Sequence, residues 1–76
     1  MGAMRYAIVI ERAGSNYSAY VPDLPGCAAT GATQREVEGL LREAIELHIA
    51  GMREDNLPIP APTSQVEYLD VEIAAP

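Results

Sequence analysis

The residues of this chain that could take part in catalysis are few and far apart. The sequence contains one histidine, His48, and one cysteine, Cys27. A zinc site needs three or four ligands, and a cysteine nucleophile needs a neighbouring base. With no second histidine and no cysteine pair, we expect His48 to be a neutral, partly buried residue. We expect Cys27 to be a small, buried apolar group.

Carboxylates offer the remaining route to catalysis. Glu11, Asp23 and Asp70 could together hold Mg²⁺ for cleavage of a nucleic acid. These are common surface residues without a diagnostic spacing, and neither a glycine-rich phosphate loop nor a nucleophile elbow is present. We therefore predict a protein with no catalytic residues, metal or cofactor, and we keep a metal-dependent nuclease remnant as the least favoured alternative.

Length and charge restrict the classes of partner. The 76 residues make one domain with a small core, so association with another protein would add stability that the core alone lacks. The formal net charge is −6, and the five basic residues are scattered along the sequence. Phosphate binding needs clustered cations, so we expect no direct contact with nucleic acid. An acidic surface suits a basic protein partner, although it also serves solubility.

The cysteine content and the hydrophobic runs indicate the compartment. A single cysteine forms no disulfide within the chain, and no signal peptide is evident. The apolar run at residues 6–10 is too short to span a bilayer, which takes about 20 residues. We expect a cytoplasmic protein that does not bind the membrane. Residues 1–3 are expected to be a remnant of cloning before a natural start at Met4, leaving residues 4–76 as one domain.

The strongest structural signal is an amphipathic helix at residues 33–54. Thr33 and Glu36 form a capping-box pair, which satisfies free backbone N–H groups at the start of a helix. Asn56 is expected to take the left-handed conformation that ends it. Apolar side chains recur every three or four residues on one expected buried face, namely Val37, Leu40, Leu41, Ala44, Ile45 and Met52.

Four other segments have the alternation typical of strands, and they give the element order β-β-β-α-β. They are residues 5–12, 17–21, 27–31 and 65–73. A right-handed crossover through the helix would place the last strand in the same sheet, beside the first. We therefore predict an α+β fold with sheet order 3-2-1-4, an interior first strand, and the helix on one face. A stiff spacer with a proline at every second position would precede the last strand.

One combination of motifs is specific enough to indicate a family. Residues 17–27 read YSAYVPDLPGC and are followed by Gly-Ala-Thr at 31–33, by Glu-Ala-Ile and His48 within the helix, and by LPIPAP at 57–62. This pattern closely resembles the HicB-like antitoxin family over nearly the whole chain, from Met4 to about residue 71. The PDLPGC run is its most specific part.

The resemblance implies a truncated ribonuclease-H-like β-β-β-α-β fold with no catalytic activity. Members of the family bind and silence a small, basic, mRNA-cleaving toxin of the HicA type, and an acidic chain fits such a partner. Tyrosine is common at protein–protein contacts, and the tyrosines here have no interleaved basic residues for stacking on bases. We predict a partner-binding surface that contains Tyr17, Tyr20, Asp23, Leu24, Pro25, Asp70 and Glu72.

The sequence departs from the family pattern at its C-terminal end. Many members continue into a helix-turn-helix or ribbon-helix-helix that binds operator DNA, whereas this sequence stops at Pro76. Direct binding to a promoter is therefore not expected. Members without that part are often solitary, so the main alternative is an oligomeric scaffold or adaptor with no toxin. In either case, a sheet with one bare face predicts a homo-oligomer.

Overall fold

A computed structural model describes residues 4–74, which form a three-stranded antiparallel sheet with one helix packed on one face. The strands are β1 (Val9–Ala13), β2 (Asn16–Tyr20) and β3 (Ala28–Gly31), and the helix is α1 (Gln34–Glu54). The predicted α+β class is confirmed. The expected cloning remnant at residues 1–3 lies outside the described residues.

The sheet is a meander whose register decides which side chains share a face. β1 and β2 form a hairpin in which Ile10 lies opposite Ala19, and Gly14 takes the positive φ of 62° that the tight turn requires. On β3, Ala29 continues the same row. Because side chains alternate along a strand, this row faces the helix, and the neighbouring rows face away from it.

Both ends of α1 follow the signals in the sequence. The Glu36 N–H donates to Thr33 Oγ1 at 3.0 Å, and the Glu36 carboxylate accepts from the Ala32 N–H at 3.4 Å. At the other end, Asn56 has a φ of 55°, and the Leu57 N–H donates to the Met52 carbonyl at 2.8 Å. This is the Schellman arrangement, in which a left-handed residue closes the last turn. The predicted helix and its left-handed end are confirmed.

The core is small and lies between α1 and the second and third strands. Six apolar side chains are buried: Ala19, Val21, Leu24, Cys27, Val37 and Leu41. Ala44 and Ile45 pack against this cluster, as expected. Leu40 does not belong to it, because 40% of its surface is exposed. The buried face of the helix is therefore narrower than its apolar periodicity predicts.

The predicted fourth strand is wrong as an element of this chain's own sheet. Residues 65–73 take no regular structure in the described chain, so the sheet order is β1-β2-β3 and not 3-2-1-4. β1 is consequently an edge strand. Pairing of β1 begins only at Val9, because its neighbour β2 ends at Tyr20 and nothing pairs with residues 5–8 from the other side.

The unpaired C-terminal residues extend the molecule. The Cα radius of gyration is 15.3 Å, whereas a compact domain of this length has about 11 Å. The long axis measures 56 Å, against 27 and 20 Å for the other two. Within residues 4–74, no helix combines the length and hydrophobicity needed to cross a bilayer.

Candidate protein-binding surfaces

The residues considered for catalysis do not come together. Cys27 is buried, and burial raises the pKa of its thiol, so the reactive thiolate is disfavoured. His48 is half-buried on α1. Glu11 lies on β1 and Asp70 on the exposed C-terminal segment, and no group of three or more metal-ligating side chains occurs within the described part of the chain.

Asp23 has a different role, which we call the Asp23 clamp. Its carboxylate accepts four hydrogen bonds from Thr63 and Ser64. The two backbone N–H groups donate to Oδ2 at 3.0 Å each, and the two hydroxyls donate to Oδ1 at 3.2 and 2.9 Å. The pKa of the Asp23 carboxyl is lowered mainly by the two hydrogen bonds from Ser64, which favour its charged form. Desolvation opposes them, and the hydrogen bonds from Thr63 make smaller contributions in the lowering direction. The clamp therefore ties the chain after the helix to the loop between β2 and β3.

The loop that carries Asp23 is built by its own sequence. The backbone N–H of Leu24 donates to the Val21 carbonyl, and the N–H of Cys27 donates to the Leu24 carbonyl, both at 3.1 Å. Gly26 has a φ of 83°, which favours glycine. Leu24 fills the core with none of its surface exposed, so it anchors the loop. Its side chain packs inside the domain and not at the surface where a partner would lie.

One face of the sheet carries no helix, and we call it the open face. Two rows of side chains occupy it, Val9–Tyr20–Ala28 and Glu11–Ser18–Thr30. Tyr20 is its largest side chain and is 44% exposed. Tyr17 points to the opposite side, where it packs against the core beneath the Arg12 guanidinium at 5.9 Å. The two tyrosines predicted to act together therefore lie on different faces of β2.

Residues 65–74, the C-terminal arm, carry the last two predicted contact residues. Asp70 and Glu72 are exposed, and they alternate with apolar side chains that are exposed as well. The exposed fractions are 85% for Leu69, 74% for Val71 and 89% for Ile73. The arm thus has the alternation typical of a strand and no sheet of its own to join.

A groove runs between residues 4–8, which lead into β1, and the helix, with a volume of ≈ 1110 Å³. Ile8, Leu41, Ile45 and Ile49 are among its apolar lining residues. Four of the five basic residues of the chain also line it: Arg5, Arg35, Arg42 and Arg53. We call it the arginine groove.

The arginine groove is a feature that sequence reasoning missed. The arginines are scattered in the sequence but not in space. Those on the helix are spaced seven and eleven residues apart, which is about two and three turns, so they share one side of α1. That spacing could have indicated, from the sequence alone, that the helical arginines lie on one side of α1. The approach of the first strand to the same side depends on the tertiary fold.

Residues 6–73 match the model of the family described as HicB-like antitoxin of bacterial toxin-antitoxin system. An uncharacterised 14.9 kDa protein from the rep-hol intergenic region of Haemophilus phage HP1 is 39% identical over 67 residues, which cover 88% of this chain and 50% of the phage protein. The chain thus spans half the length of that relative.

Two UPF0150 proteins are also similar. The one from Helicobacter pylori is 39% identical over 49 residues, covering 64% of this chain and 68% of its own. The one from Thermoplasma acidophilum is 34% identical over 58 residues, covering 75% of this chain and 84% of its own.

Proposed function

Because the chain belongs to the HicB-like antitoxin family of bacterial toxin-antitoxin systems, we propose that it binds and neutralises a small, basic, mRNA-cleaving toxin of the HicA type. It acts by covering the toxin and carries out no catalysis. We take its sheet and helix to be a truncated ribonuclease-H-like unit that works in the cytoplasm, contacting neither nucleic acid nor membrane. The single observation that carries the proposal is the open face, where a sheet without a helix presents an exposed tyrosine.

The distribution of charge supports a basic partner. The chain has eleven acidic residues, and every one except Asp23 is exposed. Four of the five arginines line one groove, so the remaining surface is more acidic than the net charge of −6 suggests. Such a surface attracts a cationic protein and speeds its association. A basic toxin therefore approaches the open face or the arm in preference to the arginine groove.

The exposure of the predicted contact residues supports a choice among them. Tyr20 and Pro25 are exposed on the body of the domain, and Asp70 and Glu72 are exposed on the arm. Leu24 is fully buried, Tyr17 is half-buried on the helix side of the sheet, and the Asp23 carboxylate accepts hydrogen bonds from Thr63 and Ser64. We propose Tyr20 as the central contact, because a large, partly exposed aromatic residue is the commonest type of interface hot spot.

A contact variant tests this proposal with a matched control. Tyr20→Arg places a positive charge on the open face, and we expect it to weaken inhibition of the toxin's RNA cleavage by at least about tenfold, which is about 1.4 kcal/mol of binding. Leu47→Arg adds the same charge at a helix position that is 75% exposed, and should leave inhibition unchanged. Equal inhibition by wild type and Tyr20→Arg would exclude the open face as the binding surface.

A second candidate function is a self-associating scaffold or adaptor with no toxin. The observation that favours it is the exposed apolar arm, since soluble monomers seldom leave such a segment in water. Homo-oligomerisation is compatible with either function. Light scattering of the pure protein decides whether self-association occurs, and the RNA-cleavage assay decides separately whether a toxin is inhibited.

A further inference from the structure

The C-terminal arm has the sequence pattern of a strand but belongs to no sheet. Leu69, Val71 and Ile73 occupy alternate positions, so they would share one side of an extended chain, and 74–89% of their surface is exposed. Alternating apolar residues with free backbone N–H and C=O groups are the features that lead one chain to add to the edge of another sheet. The arm therefore has the features of a donor strand.

The acceptor edge is on β1. Strand β1 pairs only with β2, so its other side is free. Residues 5–8 continue it with no strand partner, which gives an unpaired edge nine residues long at positions 5–13. Nine residues of extended chain span about 30 Å, and residues 65–73 of the arm have the same length. The arginine groove lies beside this edge, so a strand added there would place its apolar side chains against Ile8 and Ile45.

The charges of the arm and the groove are complementary. The arm carries Glu67, Asp70 and Glu72 and no basic residue. The groove is lined by four arginines against two acids, Glu38 and Glu46. An acidic strand is therefore attracted to this edge, whereas a basic toxin is repelled from it. The apolar lining also favours a strand with aliphatic side chains over the phosphates of a nucleic acid.

The arm does not occupy the groove of its own chain. The Tyr6 hydroxyl donates to the Pro60 carbonyl at 2.6 Å, and the Asp23 clamp then holds Thr63 and Ser64. Prolines at every second position keep the spacer before the clamp extended and stiff. Tyr68 borders a smaller recess near Ile10, yet its side chain stays 90% exposed. The Asp23 clamp and the spacer thus fix where the arm leaves the domain. Both the outer edge of β1 and the arm remain without a strand partner in the described chain.

We propose that the arm of one copy adds as a fourth strand to the β1 edge of a second copy, with its apolar side chains in that copy's arginine groove. The exchange is reciprocal and closes a two-fold dimer, because each copy has one arm and one groove. This inference builds on the self-association proposed above and names the contact that forms it. It does not depend on a toxin.

A matched pair of variants tests the role of the arm. In an isolated chain, Leu69→Glu changes a side chain that is 85% exposed and should not alter the free energy of unfolding. In the exchanged dimer it places a carboxylate in an apolar groove, so we expect the dimer dissociation constant to rise at least about tenfold by light scattering at several concentrations. Leu47→Glu, made at a helix position that is 75% exposed, should leave the dimer intact. A monomeric wild type, or equal dissociation constants for wild type and Leu69→Glu, would overturn the proposal.

A mixed-label measurement separates exchange from any other dimer. Methyl-labelled and unlabelled chains are unfolded together, refolded, and examined by isotope-filtered nuclear Overhauser spectra. We expect contacts between chains from the methyl groups of Val71 and Ile73 to those of Ile8 and Ile45. A dimer whose arm contacts appear only within one chain, or not at all, would overturn exchange while leaving self-association and toxin binding standing.

Discussion

The carboxylate of Asp23 joins two parts of the chain that are 40 residues apart in the sequence. Its loop was predictable, because two prolines and a glycine specify a rigid turn. Its partners were not, because nothing local links Asp23 to Thr63 and Ser64. The sequence therefore offered Asp23 as a metal ligand or a contact residue. In the structure, its hydrogen bonds with Thr63 and Ser64 fix the end of the spacer.

The clamp predicts a pH dependence with a definite sign. The pKa of Asp23 is lowered from 3.8 because the donors favour the charged form, so its stabilising contribution is fully present above pH 3.8. It is lost as the pH falls below 3.8 through the lowered pKa. In amide spectra recorded from pH 6 to 2, the Thr63 and Ser64 signals should move together with a midpoint below 3.8.

The Asp23→Asn variant serves as the control for that titration. It has no carboxyl at this position, so the shared step in the Thr63 and Ser64 signals should disappear. A midpoint at or above 3.8 in the wild type, or an unchanged step in Asp23→Asn, would contradict the clamp.

Two glycines predict opposite effects of the same substitution. Gly26 has a φ of 83°, so Gly26→Ala forces a left-handed alanine and should cost about 1–2 kcal/mol of unfolding free energy. Gly51 lies in α1 with open space around it, so Gly51→Ala should add about 1 kcal/mol through helix propensity. Urea unfolding of both variants measures the two shifts. Shifts of the same sign would contradict this assignment of the loop and the helix.

At the scale of the element, the sequence predicts both ends of the helix accurately but overestimates the width of its buried face. Thr33, Glu36 and Asn56 mark the ends of α1 through interactions that are local in the sequence. The width of the buried stripe is different, because it depends on how much of the helix the sheet covers. Periodicity therefore identified Leu41 as a core residue and wrongly included Leu40.

Adjacent leucines test the position of that stripe. Leu41 has none of its surface exposed, so Leu41→Ala should cost about 2–5 kcal/mol by loss of burial and formation of a cavity. Leu40 is 40% exposed, and Leu40→Ala should cost less than about 1 kcal/mol. Both variants keep the helix propensity high, so chemical denaturation reports mainly the difference in packing. Equal losses would mean that the core lies elsewhere on α1.

The predicted fourth strand shows why the pairing partner of a strand is harder to predict from sequence than its alternation of polar and apolar residues. Alternation in residues 65–73 correctly indicates a chain with a polar and an apolar side, but it does not say which edge, or which copy, supplies the partner. The crossover rule assumes that the strand returns to its own sheet. Here the clamp and the stiff spacer intervene, and the arm stays unpaired in its chain.

At the scale of the whole molecule, the described chain divides its charge and its apolar surface among three sites. The open face carries an exposed tyrosine, the arginine groove holds most of the basic residues, and the arm combines acids with exposed aliphatic side chains. The family gives the toxin-antitoxin context. Within it, we propose the open face as the contact for a basic toxin and the arginine groove as the contact for a second copy. Composition predicts a basic partner from the net charge alone, whereas the separation of the three sites arises only on folding.

Recovery of the partner from native cells tests the central claim most directly. The protein is tagged at its N-terminus, captured under low salt, and the bound proteins are identified by mass spectrometry and assayed on labelled RNA. We predict a small basic ribonuclease whose cleavage of RNA is blocked in the complex and restored when the complex is dissociated. Repeated captures that contain no ribonuclease, or a recovered ribonuclease that remains fully active when bound, would contradict the assignment as an antitoxin.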